Sequence, residues 1–190
     1  MGGLSKVATY GLIAVLAALV ALLGFQKKSL VAENNKLHSE EYYPKKGSWF
    51  PDRVITSMTG EDVHIGKTEK GRQIVLLFST KCPSCLASVP FISEISRAAT
   101  RTGVQMIGVT PETNKSDVSK FMSEHHLNFP VISVPDRRSL SLMQFRMSPT
   151  FLVLSKDGII EHVKVGRITS DEDAFGIVTS SLQQDLPKPK

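Results

Sequence analysis

Apolar and polar positions alternate along this chain in blocks of distinct period. Val7 to Gln26 is a run of twenty uncharged residues, carrying Leu12, Ile13, Val15, Leu16, Leu19, Val20, Leu22, Leu23 and Phe25. At about 1.5 Å per residue such a run makes a helix of about 30 Å, the thickness of a hydrocarbon core. Lys6 on one side and Lys27-Lys28 on the other end it abruptly. A cleaved signal peptide is the rival reading. The run is longer than the usual signal core, and Leu30-Val31-Ala32 is a poor cleavage site because Leu holds its first position. The pattern therefore favours an uncleaved anchor over residues 7–26, with residues 1–6 as its flank and 27–46 as a polar tether. Leu16, Leu23, Leu30 and Leu37 recur every seven residues, but polar residues crowd positions 33–36 and argue against a coiled coil.

Beyond the tether, residues 47–186 read as one domain and 187–190 as a tail. Arg53–Met58 and Asp62–Ile65 straddle Thr59-Gly60-Glu61 and predict a hairpin. Gln73–Ser79 and Val104–Thr110 are short continuous apolar runs, the mark of strands covered on both faces. Pro83–Thr102 has Leu86, Val89, Ile92, Ile95 and Ala99 at helical spacing and ends at Gly103. A second helix is expected from Ser116 to His126, with pairing at Val131–Val134 and a helical turn over Ser139–Phe145. Thr150–Ser155 and Ile159–Gly166 flank the turn Lys156-Asp157-Gly158, and Asp171–Gln184 closes the domain as a helix. Strand–helix alternation followed by an antiparallel pair predicts an α/β sheet with helices on both faces. Trp49-Phe50-Pro51 reads as an aromatic plug at the entrance to the domain, and His125-His126 as the cap of a helix end. Arg137-Arg138 reads as a solvated turn.

Charge changes this picture little. The chain carries +5 overall, yet from Glu33 onward the balance is only +2, because Lys6, Lys27 and Lys28 flank the apolar run and no acid precedes Glu33. Nucleic acid is thus not the expected partner. One lysine before the run and two after it leave the orientation of the anchor undecided. Two cysteines in all exclude a disulfide-rich scaffold and a four-cysteine zinc site.

Both cysteines lie in Cys82-Pro83-Ser84-Cys85, directly after a buried strand and at the start of a helix. A helix N-terminus offers unpaired N–H groups and the positive end of the dipole, which favour a thiolate. Pro83 suits the first helical position, where its missing N–H costs nothing. Cys82 then occupies the cap, as the nucleophile, and Cys85 lies one turn deeper on the same face, as the resolving thiol. Lys81 adds a nearby positive charge. A bridge between the two closes too small a loop to stabilise the fold much, so redox chemistry explains the pair better than stapling. No metal site is expected, since zinc normally takes four protein ligands, or three and water.

With these motifs in view, the sequence resembles the thioredoxin superfamily, and within it the membrane-anchored TlpA/ResA-like branch that overlaps the redoxin and AhpC/TSA families. The likeness runs from about Lys46 to Leu182. It is carried by Phe78-Ser79-Thr80-Lys81-Cys82-Pro83-Ser84-Cys85, by Pro90 five residues after Cys85, and by Ser148-Pro149-Thr150 before an apolar strand. Phe129-Pro130-Val131 and Lys156-Asp157-Gly158 also fit. Pro149 stands 64 positions after Cys85, which suits the branch with an added strand–helix insertion. On its own a proline there reads as the trans start of an edge strand. The resemblance implies instead a cis-proline facing the disulfide, with Ser148 offering its backbone to a bound peptide and Met147 bordering the groove.

The departures are specific. Lys81 stands where the family usually has Trp, Leu76 where thioredoxin has its buried acid, and Ser88 where ResA-like proteins have a glutamate. Neither acid is available to receive the proton of Cys85, which points to a specialised reductase. What the resemblance implies is a cofactor-free thiol–disulfide oxidoreductase on the outer face of a membrane. It would be anchored in the bilayer through Val7–Gln26, would act on exported protein thiols such as apocytochromes c, and would be recharged by a membrane electron donor. Two alternatives use the same cysteines. One is a peroxiredoxin-like peroxidase, whose Pro-x-x-x-Thr-x-x-Cys is not met because Val75 and Ser79 fill the proline and threonine places. The other is a copper metallochaperone using Cys82, Cys85 and one of His125 and His126.

Overall fold

The computed structural model describes residues 43–182 other than Lys70, together with residues 10, 11, 16 and 18–30. The latter are helical. Much of the expected anchor Val7–Gln26, the heptad position Leu37, residues 31–42 of the tether, and the tail lie outside the described residues. Among those described, no helix is long and apolar enough to cross a membrane. The chain divides into two units, Met1–Tyr42 and Tyr43–Lys190.

The second unit runs β1 (Arg53–Thr56), β2 (Asp62–Ile65), β3 (Gln73–Leu77), α1 (Pro83–Thr102), β4 (Gln105–Thr110) and α2 (Lys115–Glu124). It continues with β5 (Val131–Ser133), α3 (Arg137–Leu142), β6 (Thr150–Leu154), β7 (Ile160–Val165) and α4 (Asp171–Leu182). Five strands form one mixed sheet in the order β5-β4-β3-β6-β7. β3, β4 and β5 are parallel, whereas β6 is antiparallel to β3 and β7 to β6. β5 and α3 supply the strand–helix pair between α2 and β6. The fold is thioredoxin-like, a central mixed sheet with flanking helices.

Central position explains the unbroken apolar runs. Every residue of β3 and β6 is buried, because neighbours cover both faces of these strands. Successive side chains point to opposite faces. Ile74, Leu76, Phe151 and Val153 therefore join Ile92 and Ile95 of α1, Val118 and Phe121 of α2, and Ile177 of α4 in one core. Val75, Leu77, Leu152 and Leu154 join Val63 and Ile65 of the hairpin, Phe50 and Met143 in the other. Each large side chain so buried contributes about 1.5–3 kcal/mol. Gly108 of β4 is required by this packing, since a Cβ there would lie 2.9 Å from the rings of both Phe78 and Phe129.

Most expected elements stand, with shifted ends. α1 begins at Pro83 and ends at Gly103, whose φ of 72° lets its N–H turn back to the carbonyls of Ala99 and Thr100. α3 starts two residues earlier than expected and stops before Phe145, because Asp136 accepts from the Ser139 N–H at 2.8 Å and caps it. Arg137-Arg138 accordingly forms its exposed first turn. The aromatic plug needs correction. Phe50 is buried, but Trp49 is 61% exposed, with the Lys67 Nζ 5.6 Å over its ring. His125 occupies the cap of α2, its N–H donating to the Phe121 carbonyl.

Candidate active site

The site sits where β3 leaves the sheet. Phe78, fully buried, holds the end of the strand in the core, and the chain turns outward through Ser79, Thr80 and Lys81 to α1. Cys82 is the N-cap residue, with extended backbone angles of −83° and 119°, and Pro83 follows at the first helical position. As a neutral thiol the Cys82 side chain makes no cap hydrogen bond; the N–H groups of the first turn act on its charged form. The Cys82 N–H donates to the Ser79 carbonyl at 3.2 Å, and the Cys82 carbonyl accepts from the N–H groups of Cys85 and Leu86 at 3.0 and 3.1 Å. Cys82 is half-buried and Cys85 fully buried, and both are free thiols. Pro83 is exposed and Ser84 half-buried.

Ser148-Pro149 is brought opposite, and its peptide bond is cis. The Cys82 thiol donates to the Ser148 carbonyl oxygen at 3.3 Å, a contact that joins positions 66 residues apart. Gly166, just after β7, donates its N–H to the Pro149 carbonyl at 2.8 Å, and Thr150 donates its hydroxyl to the Met147 carbonyl at 2.8 Å. The cis-proline loop is thereby held from both sides.

The two sulfurs differ in ionisation. Burial works to raise the pKa of Cys82. Hydrogen bonding from the Ser148 side chain, from the Cys85 N–H and thiol, and from the Ser84 N–H outweighs it, and the pKa falls below its ordinary 9.0. Lys81 is exposed, so hydrogen bonds rather than a close cation carry this lowering. Cys85 moves the other way. Burial, reinforced by the charge of Cys82 and opposed by the Ser79 backbone, pushes it up to about 12. A thiolate is the attacking form, so Cys82 is primed while Cys85 retains its proton.

The substituted acids have structural explanations. Leu76 is wholly inside the core. Ser88 is buried rather than solvated, its hydroxyl donating to the Ser84 carbonyl at 2.8 Å and accepting from the Ile168 N–H at 3.0 Å. It pins the start of α1 to the loop before α4.

One residue of the site escaped the sequence reading. Glu112, after β4, accepts from the Ser79 hydroxyl at 2.7 Å, the Thr80 N–H at 3.0 Å and the Thr110 hydroxyl at 2.8 Å. Burial raises its pKa, but these donors more than compensate and hold it below its ordinary 4.5. The carboxylate thus fixes the turn whose Ser79 carbonyl receives the Cys82 N–H. The available signal was positional, an acid at the carboxyl end of a parallel strand, where sites in α/β sheets gather. Among the described residues, no group of three or more His, Cys, Asp or Glu is arranged to hold a metal ion. His125 packs edge-on against Phe121, with ring centroids 4.7 Å apart.

Known proteins resemble this chain along most of its length. Residues 45–178 match the redoxin family. The chain is 24% identical over 160 residues to thiol-disulfide oxidoreductase ResA of Geobacillus kaustophilus, covering 84% of this chain and 88% of that protein. It is 26% identical over 156 residues to ResA of Bacillus subtilis, covering 82% of this chain and 83% of the relative. The crystal structure of StoA from Bacillus subtilis superposes with a TM-score of 0.55 at 22% identity, over 70% of this chain and 98% of that one. The chain belongs to the redoxin family and is a TlpA/ResA-like oxidoreductase of the thioredoxin superfamily.

Proposed function

We propose that this protein is a membrane-tethered thiol–disulfide oxidoreductase that exchanges disulfides with exported proteins through Cys82 and Cys85. The Cys82 thiolate attacks one sulfur of a substrate disulfide, breaking that bond and releasing one substrate thiolate. The mixed disulfide so formed is then attacked by Cys85, which gives up its proton as it does so. The second substrate sulfur leaves as a thiol, and Cys82 and Cys85 end as a disulfide. Two electrons pass from the dithiol to the substrate, and the reverse sequence oxidises a substrate dithiol. The observation that carries this reading is geometric: a half-buried Cys82 at the start of α1 meets the Ser148 carbonyl of the cis-proline loop at 3.3 Å while Cys85, one turn on, is buried. The two pKa values move apart accordingly.

Similarity to thiol-disulfide oxidoreductase ResA and to sporulation thiol-disulfide oxidoreductase A supports the same activity. With a single span at Val7–Gln26, the chemistry rather than the flanking charge argues for a domain on the outer side, because an oxidising compartment is where such a dithiol is useful. Apocytochromes c are the substrate class that the family resemblance suggests, with a membrane protein as electron donor. The peroxidase alternative is disfavoured by a specific contact. Ser79, in the threonine place, spends its hydroxyl on Glu112, and Val75, in the proline place, is buried in the second core.

The test is trapping with Cys85→Ser in native membranes. Mixed disulfides with exported proteins through Cys82 are expected, absent in the Cys82→Ser, Cys85→Ser double variant. Stable sulfenic acid at Cys82 with consumption of hydrogen peroxide, and no trapped protein, would contradict the proposal.

A further inference from the structure

About four turns along α1 from Cys82, the helix contributes to a second cluster of polar groups. Ser96, Arg97, Thr100 and Arg101, with His126 and Asn128 from the segment between α2 and β5, line a cavity of about 350 Å³. No described carboxylate is among its lining residues. Arg97 and Arg101 are exposed and one turn apart, so each faces a like charge, an arrangement that weakens a helix. Attraction to the carboxyl end of the helix dipole accounts for Arg101 in the last turn, but it fades before Arg97. Arg97 donates its Nε–H to the Ser93 carbonyl at 3.4 Å. Its terminal nitrogens and the whole Arg101 guanidinium make no hydrogen bond or ion pair among the described residues.

Ser96 is a separate observation. It is only 4% exposed, and its hydroxyl has no hydrogen-bond partner among the described residues. No side-chain polar atom sealed from solvent is left unsatisfied there, so this hydroxyl opens onto the cavity that Ser96 lines. His126 reaches the same cavity from a backbone with φ of 52°, a conformation that the end of a helix usually leaves to glycine. The nearest acids along the chain do not answer the arginines. Ser96 and Ala98 lie about 100° to either side of Arg97 around the helix. Glu94 and Asp171 line a separate groove on the Ala98 side and pair with neither arginine among the described residues. Glu124, at the end of α2, pairs with Lys120 at 3.8 Å. Two guanidinium forks, an imidazole, a side-chain amide and an open hydroxyl form a donor set suited to an oxyanion, which accepts several charge-assisted hydrogen bonds at once.

We infer that this cavity binds a tetrahedral oxyanion of the phosphate type, held by Arg97 and Arg101 and completed by Ser96, His126 and Asn128. The inference stands apart from the exchange activity, because the site lies toward the other end of α1 from Cys82 and shares none of its groups. Free phosphate compounds and the headgroups of anionic phospholipids share this chemistry.

The test is calorimetric titration of the full-length chain in a neutral detergent with inorganic phosphate at constant ionic strength. One equivalent should bind, half-saturating at about 1 mM. Arg97→Gln and Arg101→Gln should each weaken binding about tenfold, and Ser96→Ala about threefold. Ser96→Ala leaves the net charge unaltered, so its effect separates a formed site from general attraction to a basic protein. Arg138→Gln removes an exposed arginine outside the cavity and should leave binding unchanged. Repeating the titration in nanodiscs separates the two sources. Loss of phosphate binding in discs containing phosphatidylglycerol, but not in discs of phosphatidylcholine alone, supports the site with a lipid headgroup as occupant; equal binding in both supports it with a free oxyanion. No saturable binding in detergent, or binding that Arg97→Gln, Arg101→Gln and Ser96→Ala leave unchanged, would overturn the inference. An equal loss in Arg138→Gln would do the same.

Discussion

The rim and the floor of the site are three residues apart in sequence and opposite in chemistry. At the rim, Cys82 has left the strand but not entered the helix, so N–H groups of the first turn and the cis-proline loop address its sulfur. At the floor, Cys85 is one turn along, packed with Phe78, Ile92 and Phe151 in the core, where a charge is penalised. One helical turn is enough to separate attacker from resolver. The contrast teaches that reactivity here comes from the depth at which a helix starts, more than from any neighbouring charged side chain.

The largest expected effects come from removing either sulfur. Cys82→Ser should lower turnover by about a thousandfold or more and abolish mixed-disulfide formation. Cys85→Ser should lose turnover to a similar extent yet retain the first half-reaction, seen as a one-to-one covalent adduct by mass spectrometry. Adduct formation through position 85 in Cys82→Ser at the native rate would erase the distinction between rim and floor.

The turn above the rim comes next. Glu112→Ala removes a half-buried carboxylate, leaves its three donors on Ser79, Thr80 and Thr110 without that acceptor, and should destabilise the fold by about 1–2 kcal/mol in denaturant unfolding. Glu112→Gln should cost less. Because the folded protein holds this carboxyl below 4.5, its contribution is present above that value and lost as pH falls below it. The Gln variant should accordingly show a flatter loss of stability on acidification through that window. An unchanged acid limb would remove Glu112 from the account.

How much of this was legible beforehand follows from how local each cause is. The start and end of α1 were readable because Pro83 and Gly103 mark them within the chain itself, and β3 was readable from an uninterrupted apolar run. Ser148 and Pro149 were legible only through resemblance, since nothing in the local sequence says that this loop will meet Cys82. Glu112 was not legible. Its partners Ser79 and Thr80 lie 33 and 32 positions away, and only the parallel pairing of β3 with β4 brings them together. Trp49 and Phe50 show a different limit. Hydropathy marks both, but the antiparallel bridge from Trp49 to Ile159 alternates side chains and sends only Phe50 inward.

A smaller effect probes the floor from behind. Ser88→Ala leaves the Ile168 N–H buried without a partner and should cost about 1 kcal/mol of stability. Since Ser88 touches neither sulfur through a hydrogen bond, the alkylation rate of Cys82 should stay within about twofold of the parent. A large change in that rate would mean that the hydroxyl serves the rim as well.

The most direct measurement is the pH dependence of alkylation at each cysteine of the reduced protein, resolved by peptide mass spectrometry. The account predicts that Cys82 reacts along a curve with its midpoint below 9.0, while Cys85 stays unreactive until near pH 12 or until the fold opens. Parallel curves for the two thiols, or a midpoint for Cys82 at or above 9.0, would contradict it.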